Sequence, residues 1–209
     1  ALSPSEMFYQ RMLAGDPTEA AGKAEEFLKE KSLSSYFDEV ALKGLQLAQA
    51  DAKRGALDQA RMTKIRDAVT EFASDLSTQD DSIPEMTSPT LDAEAAAALE
   101  TVPDAAISSN LPVVLKADLP LGWQGEFPVL CLAGRTPLDE AAAVLFAQLS
   151  NAHGLAARGE PADVLSPTNI SQLEITGVAI VCLSYLDASS PAHMRYSVRR
   201  LRRKLPTGT

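Results

Sequence analysis

The sequence predicts a mixed α plus α/β fold: an N-terminal four-helix bundle, a linker and a small parallel sheet. Residues 4–77 place apolar side chains at helical spacing almost without interruption. Residues 78–127 are linker-like, with Asp-Asp-Ser-Ile-Pro, Thr-Ser-Pro-Thr and an Ala/Glu run. Residues 128–209 alternate short apolar runs with helical patterns, the order that a parallel sheet with crossover connections requires. We therefore expect two domains, 1–77 and 128–209, joined by a linker at 78–127.

Charge and hydropathy argue against a nucleic-acid partner and against a membrane-spanning segment in the chain itself. The net charge of −9 is unevenly distributed. Residues 128–209 carry eight of the 19 Lys/Arg and six of the 28 Asp/Glu, so residues 1–127 carry 11 Lys/Arg and 22 Asp/Glu. An acidic first part repels phosphates, so we expect no nucleic-acid partner. No apolar run approaches the roughly 20 residues of a membrane helix. No segment resembles a signal peptide, and the isolated chain is expected to be soluble.

Four helices are predicted before residue 77. The first ends at Gly15, and the second starts at Asp16-Pro17, with aspartate as cap and proline at the first helical position. The third begins near residue 34 or 35 and stops at Gly55, and the fourth spans about 57–76. The residues expected to be buried are Ala20, Ala24, Phe27, Leu28, Phe37, Val40, Ala41, Leu45, Ala48, Ile65, Val69 and Phe72. The short connections favour antiparallel packing into a bundle.

The predicted linker holds three features. The low-complexity run at 91–100 is a candidate weak helix, and 111–116 is a candidate strand. Residues 120–128, which include the only tryptophan, Trp123, are expected to be irregular.

The predicted α/β unit opens with a strand at 129–132 and a helix that Thr136 caps, with Pro137 at its first position and Gly154 at its end. A second strand at 155–158 and a short helix at 166–174 follow. The run 177–183, GVAIVCL, is the clearest strand, apolar on both faces as in a parallel sheet.

The last predicted helix starts at Ser190-Pro191 and buries Met194, Val198, Leu201 and Leu205. Three strands are few for a doubly wound domain, so we expect an incomplete sheet.

The loops after the first and third strands are the candidate ligand site, because open parallel sheets bind ligands at the carboxyl ends of their strands. The candidate residues are Gly134, Arg135, Thr136, Ser184 and Tyr185. The 133–137 turn has neither G-x-G-x-x-G nor G-K-[ST], and two acidic residues follow it, which disfavours a nucleotide.

The patterns expected of a catalytic or a metal site are incomplete in this sequence. Ser184, Asp187 and His193 invite a triad, but the nucleophile pattern G-x-S-x-G is absent. Cys131 lies inside a strand and His153 at the far end of the helix, so these two are not expected to pair. With two histidines and no C-x-x-C, we expect no metal site, no cofactor and no enzyme activity. Cys131 and Cys182 are expected to be buried free thiols.

The C-terminal helix carries a basic run whose members are Arg195, Arg199, Arg200, Arg202, Arg203 and Lys204. One interpretation is a solvated face whose cations favour the helix C-terminus. The other is contact with an anionic surface, either lipid headgroups or an acidic partner, through Arg199, Arg202 and Arg203.

Two resemblances cover most of the chain. The segments LAGDP, YFDEV and KRGAL, which begin at Leu13, Tyr36 and Lys53, resemble the helical cap of cobalamin-binding modules. The stretch LCLAGRTPLDEAAAVLFAQLSNAHGLAAR and the later GVAIVCLSYL and RRLRRKLP are similar to their α/β half. This resemblance implies a helical bundle beside a flavodoxin-like (Rossmann-like) sheet. The family's cobalt-ligating histidine is absent, because residues 135–140 read Arg-Thr-Pro-Leu-Asp-Glu.

The opening LSPSEMFYQRMLAGDPTEAAGKAEEFLKEKSLSSYFDEVALKGLQLAQAD resembles the segment after the last membrane helices in long members of the autoinducer-2 exporter-like permease family. PLDEAAA and VCLSYL also fit the tail of those proteins. The resemblance implies a regulatory, sensory or docking domain on the cytoplasmic face of the inner membrane, with the membrane-embedded remainder of a permease as partner. The alternative is a stand-alone small-ligand module, corrinoid-like but lacking the histidine. The oligomeric state is not predicted.

Overall fold

A computed structural model describes residues 1–82, 112–187, 189 and 191–206. Most of the predicted linker, including the candidate helix at 91–100, lies outside these residues. The fold is mixed, with a helical bundle and a small three-stranded parallel sheet, and the α plus α/β prediction is confirmed at this level.

The four predicted helical segments of the first part all form. They are α1 (Pro4–Ala14), α2 (Pro17–Leu28), a rod made of α3 (Leu33–Tyr36), a π-helical turn (Phe37–Leu42) and α4 (Lys43–Lys53), and finally α5 (Gln59–Asp75). Side-chain caps start them: Asp16 accepts the Glu19 amide at 3.1 Å, and Asp58 accepts the Arg61 amide at 2.8 Å. Gly15 ends α1 in the left-handed conformation, at φ 79°.

The bundle core is built around aromatic rings. Phe8 and Phe72 pack edge to face with ring centroids 5.3 Å apart, and Tyr36 packs against Phe27 at 5.2 Å. Burial strongly raises the pKa of the Tyr36 phenol. Four aromatic residues, Phe8, Tyr36, Phe37 and Phe72, are buried in the bundle core, and mostly Ala, Leu and Val fill the remaining space.

The sheet contains β1 (Val129–Ala133), β2 (Ala157–Glu160) and β3 (Ile180–Ser184), all parallel, in the order β2-β1-β3. The central strand β1 is fully buried. Helix α6 (Pro137–Ala152) connects β1 to β2 and covers one face, and helix α7 (Pro191–Lys204) packs its Leu201 on the other. Cys131 lies beside Cys182 in the register, and both are free, as predicted; Cys131 is buried as expected, whereas Cys182 is only half-buried.

The bundle and the α/β unit are packed against each other through α5 and α6. Leu138, Ala141, Ala142 and Leu145 of α6 belong to the same apolar cluster as the bundle core. A buried pair at the far end of α6 adds a polar tie, because His153 Nε2 lies 2.8 Å from Asp81 Oδ2.

The predicted strand at 111–116 is wrong for its described residues. Val114 donates its amide to the His153 carbonyl at 2.9 Å, and Val113 and Leu115 are about two-thirds exposed. Residues Lys116–Asp118 form a 3₁₀ turn. A strand needs a neighbouring strand to pair with, whereas the described residues of this segment form hydrogen bonds with His153 at the end of α6. The exit from α6 depends on Gly154, whose φ is 80° and where a Cβ would overlap the Val114 carbonyl oxygen.

The predicted α-helix at 166–174 is also wrong. The β2–β3 crossover instead consists of two 3₁₀ turns, Ala162–Leu165 and Ile170–Gln172. The Ser166 hydroxyl accepts the Asn169 amide at 3.3 Å, as a helix cap does, but the chain continues only as the 3₁₀ turn Ile170–Gln172. The apolar side chains of this crossover pack beneath the sheet together with Leu201.

Helix α7 has a buried stripe that differs from the prediction at one position. Val198, expected inside, is exposed, and Ser197 is buried. Leu201 is buried as expected, and Met194 and Leu205 are half-buried. The hydroxyl of Ser197 lies 3.1 Å from the Tyr185 hydroxyl, and this contact selects the side of the helix that faces the sheet. Within the described parts of the chain, no helix has the length and apolar character needed to cross a membrane.

Candidate ligand-binding site at the carboxyl edge of the sheet

The carboxyl ends of β1 and β3 lie side by side, and the connections from these strands diverge to opposite faces of the sheet. Such a point is where open α/β sheets bind their ligands. The loop after β1 carries Gly134, Arg135 and Thr136, and the loop after β3 begins with Tyr185 and Leu186. The structure therefore brings the two predicted candidate loops together.

Asp139 joins these two loops. Its side chain is buried, with a residue exposure of 3%. One carboxylate oxygen accepts the amides of Arg135 and Thr136 at 2.9 and 3.1 Å, and the other accepts the amide of Leu186 at 2.8 Å. Thr136 in turn accepts the Asp139 amide at 3.2 Å, which completes a capping box at the start of α6. One carboxylate thus satisfies three backbone donors of two loops.

Gly134 and Tyr185 pack against each other at this edge. A Cβ on Gly134 would overlap the Tyr185 ring, so only glycine allows this approach. The Tyr185 hydroxyl lies 3.0 Å from His193 Nδ1 and 3.1 Å from the Ser197 hydroxyl. These contacts attach the first turns of α7 to the loop after β3.

A pocket of about 350 Å³ lies beside this network, between the bundle and the sheet edge. Gly134, Arg135 and His193 line it from the α/β unit, and Arg66 lines it from α5. The remaining lining residues are Gln59, Thr63, Pro137, Glu140, Ala162 and Asp163. Two arginines and two carboxylates balance the charge, which suits a polar ligand without a large net charge.

Glu140 holds the wall of this pocket together. It accepts a charged hydrogen bond from Arg66 at 2.8 Å and the backbone amide of Ala162 at 3.2 Å. The pKa of Arg66 is raised by this hydrogen bond and by one to Asp67. Burial, together with the positive charge of Arg135, lowers the pKa of His193. The pocket thus contains an imidazole that favours the neutral form.

The predicted candidates divide between two surfaces. Gly134 and Arg135 line the polar pocket, whereas Thr136 is engaged in capping α6. Ser184 and Tyr185 line a separate apolar groove between the π-helical turn, α6 and β3. Sequence reasoning missed Arg66, Glu140 and His193 as wall residues. The one sequence signal for this site was the position of Asp139, three residues after the helix cap Thr136. A carboxylate at that position faces the backbone amides of the preceding loop.

The structure does not assemble the triad that the sequence suggested. His193 contacts Tyr185, and Asp187 accepts a hydrogen bond from Lys53 at 3.0 Å. Hydrogen bonds from Ser189 and Lys53 lower the pKa of Asp187 to about 2. Ser184 contributes its carbonyl oxygen, which accepts the Gly134 amide at 2.9 Å. Burial raises the pKa of the Cys131 thiol to about 12, which is the opposite of an activated nucleophile.

Among residues 1–82, 112–187, 189 and 191–206, no group of three or more His, Cys, Asp or Glu side chains is placed to hold a metal ion. His153, at the other end of α6, is occupied by Asp81 and by the Pro112 carbonyl at 3.3 Å.

The combination of a helical bundle and a β2-β1-β3 parallel sheet gives the chain a mixed α plus α/β architecture. Comparison with protein-family models, curated proteins and solved structures gives no match to the chain.

Proposed function

We propose that this chain is a non-catalytic regulatory and docking domain of a membrane permease, positioned at the cytoplasmic face of the inner membrane. The link to a permease rests on the sequence resemblance of residues 2–51 and of the PLDEAAA and VCLSYL stretches. The observation that carries the docking role is the arrangement of α7.

Helix α7 presents four arginines on the side opposite its buried stripe. Arg195, Arg199, Arg202 and Arg203 are exposed, while Ser197 and Leu201 face the sheet. Within the described residues, none of the four has a carboxylate within 4.0 Å of its guanidinium. Guanidinium groups bind phosphate oxygens in a bidentate way, so this arginine face suits anionic lipid headgroups.

An exposed aromatic ring accompanies the arginine face. Tyr196 is 52% exposed, and Arg200 lies over its ring at 5.3 Å while donating to its hydroxyl at 2.9 Å. Tyrosine prefers the interface between water and lipid, because one end of the ring is apolar and the other is polar. This feature suits a lipid surface.

The strand-end pocket supplies the regulatory part of the proposal. Its walls come from both the bundle and the α/β unit, through Arg66 on one side and Arg135 and His193 on the other. A small polar ligand bound there would contact both units and the first turn of α7. Ligand binding would thereby bias the helix that docks on the membrane.

The corrinoid alternative has weaker support. The pocket of about 350 Å³ is near the lower limit for a drug-sized ligand, and residues 135–140 contain no histidine.

Vesicle binding tests the docking role. Each arginine near an anionic surface contributes about 1 kcal/mol, so three contribute roughly 3 kcal/mol, which is weak docking that salt removes. The chain should sediment with phosphatidylserine-containing vesicles at low salt, about 20 mM, and dissociate near 0.3 M. The triple variant Arg199→Gln, Arg202→Gln, Arg203→Gln should lose this binding and remain folded by circular dichroism.

A matched control removes three exposed cations from the bundle. The variant Lys29→Gln, Lys43→Gln, Arg61→Gln has the same change in net charge but leaves α7 intact. It should bind vesicles as well as the unmodified chain. Equal loss in both variants, or no vesicle binding at low salt, would refute the assignment to α7.

A further inference from the structure

A second pocket, distinct from the strand-end pocket, lies between the C-terminal half of α5 and α6, next to the edge strand β2. Its volume is about 470 Å³. Hydroxyl side chains line it from α5 and the turn that follows: Thr70, Ser74, Ser77 and Thr78. Gly159 of β2 and Gln148 of α6 lie on the opposite side. The pocket shares no residue with the strand-end pocket.

Gln148 contributes an amide without a hydrogen-bond partner. Its Nε2 and Oε1 each expose less than 1 Å², and neither forms a hydrogen bond with any described residue. Because both atoms lack a partner, exchanging nitrogen and oxygen by a flip of the amide does not change this conclusion. Buried polar groups in native proteins are nearly always satisfied, so an amide with both functions open is unusual.

The amide can reach partners by turning toward the pocket. Gln148 lines the pocket, and the residue as a whole is only partly buried, so rotation about its terminal torsions does not require movement of α6. By contrast, the neighbouring Asn151 is already committed, since it accepts the Ala157 amide at 2.8 Å and donates to the Ala157 carbonyl at 3.2 Å.

The lining specifies the chemistry of a ligand. No lysine or arginine lines the pocket, and Asp80 contributes a carboxylate, so an anion is disfavoured. An amide that offers both a donor and an acceptor complements a hydroxyl group, which also offers both. Val144 and Ala147 add apolar surface for the carbon skeleton.

We propose that this pocket binds a small, uncharged, polyhydroxylated molecule, with the Gln148 amide as its principal hydrogen-bonding group. The serine and threonine hydroxyls opposite Gln148 complete the site. The proposal does not depend on the function of the strand-end pocket or of α7.

The test uses Gln148→Leu, which keeps the approximate shape and removes both polar atoms. The ¹⁵N-labelled chain is titrated with glycerol, myo-inositol, D-ribose and D-glucose, each to about 50 mM, with dissociation constants in the millimolar range expected for such small ligands. At least one of them should shift the side-chain amide signals of Gln148 and the backbone amides of Ser74 and Ser77. Gln148→Leu should weaken that binding at least about tenfold.

Stability supplies an independent readout. Because Gln148→Leu removes two unsatisfied groups, the melting temperature of the ligand-free variant should be unchanged or higher. The control Gln124→Leu removes an amide that has a partner, because it donates to the Leu119 carbonyl at 2.7 Å. This control should have a lower melting temperature and unchanged ligand binding. The proposal is overturned if none of the four compounds shifts these signals, if Gln148→Leu binds equally well, or if Gln148→Leu is clearly destabilised.

Discussion

Replacing Asp139 with asparagine removes the charged acceptor that joins the loops after β1 and β3. Its two carboxylate oxygens accept three backbone amides, from Arg135, Thr136 and Leu186, at 2.8 to 3.1 Å. An asparagine has one amide oxygen, so either the Arg135/Thr136 pair or Leu186 must face an NH₂ group, which cannot accept.

The expected cost follows from these contacts. A hydrogen bond to a charged group contributes about 1.5–3 kcal/mol, and a buried donor left without an acceptor costs about 1–3 kcal/mol. Since asparagine preserves part of the network, we expect Asp139→Asn to lower the free energy of unfolding by about 3 kcal/mol. The loss should be visible as a lower urea midpoint with an unchanged m value.

Asp58 provides the matched control. Its carboxylate also caps a helix, by accepting the Arg61 amide at 2.8 Å, but it is exposed and serves one helix only. Because asparagine caps helices about as well as aspartate, Asp58→Asn should change stability by only a few tenths of a kcal/mol.

Hydrogen exchange separates the local effect from the global one. The Leu186 amide, which lies 47 residues from Asp139 in sequence, should exchange faster in Asp139→Asn than global unfolding accounts for. A variant within about 0.5 kcal/mol of the unmodified chain, with Leu186 still protected, would show that the carboxylate does not hold the two loops together.

Two further predictions concern Gly154 and His193. Gly154→Ala should lower the free energy of unfolding, measured by urea denaturation, by at least about 2 kcal/mol. The reason is that φ of Gly154 is 80° and the new Cβ would overlap the Val114 carbonyl oxygen. A neutral effect would mean that the 112–114 segment does not lie against α6. Burial and Arg135 lower the pKa of His193 in the folded state, so the unfolded chain binds this proton more readily, and stability should fall as the pH drops below about 6.5. Between pH 7.5 and 5.5, the melting temperature of His193→Gln should fall by less than that of the unmodified chain. An equal fall in both proteins would contradict the lowered pKa of His193.

The starts of α2 and α6 and the positions of two of the three strands were predictable because their signals are local, whereas β2 forms two residues later than the predicted strand at 155–158. The pairs Asp16-Pro17 and Thr136-Pro137 begin α2 and α6 as predicted, since a cap and its amide lie within three residues of each other. The apolar runs at 129–132 and 177–183 overlap β1 and β3. Strand β1 is buried on both faces and must be apolar throughout, whereas β3 is only half-buried. Such patterns need no knowledge of distant parts of the chain.

The crossover between β2 and β3 shows the limit of local signals. Ser166-Pro167 has the composition of a helix start, yet the segment forms 3₁₀ turns. Its apolar residues meet the sheet and Leu201 of α7, and that packing determined the backbone more strongly than propensity did.

Only the tertiary structure decided which residues form the strand-end site and which side of α7 faces inward. Asp139 reaches Leu186 across 47 residues, and Arg66 reaches Glu140 across 74. For α7, buried residues at steps of four, three and four and at steps of three, four and four both fit a helix. The hydrogen bond between the Tyr185 and Ser197 hydroxyls favours the second pattern. The sequence by itself determined the main helices, β1, β3 and the exposed arginines of α7. Contacts between residues far apart in sequence decided the rest, because a helical or strand period contains no information about the partner it will meet.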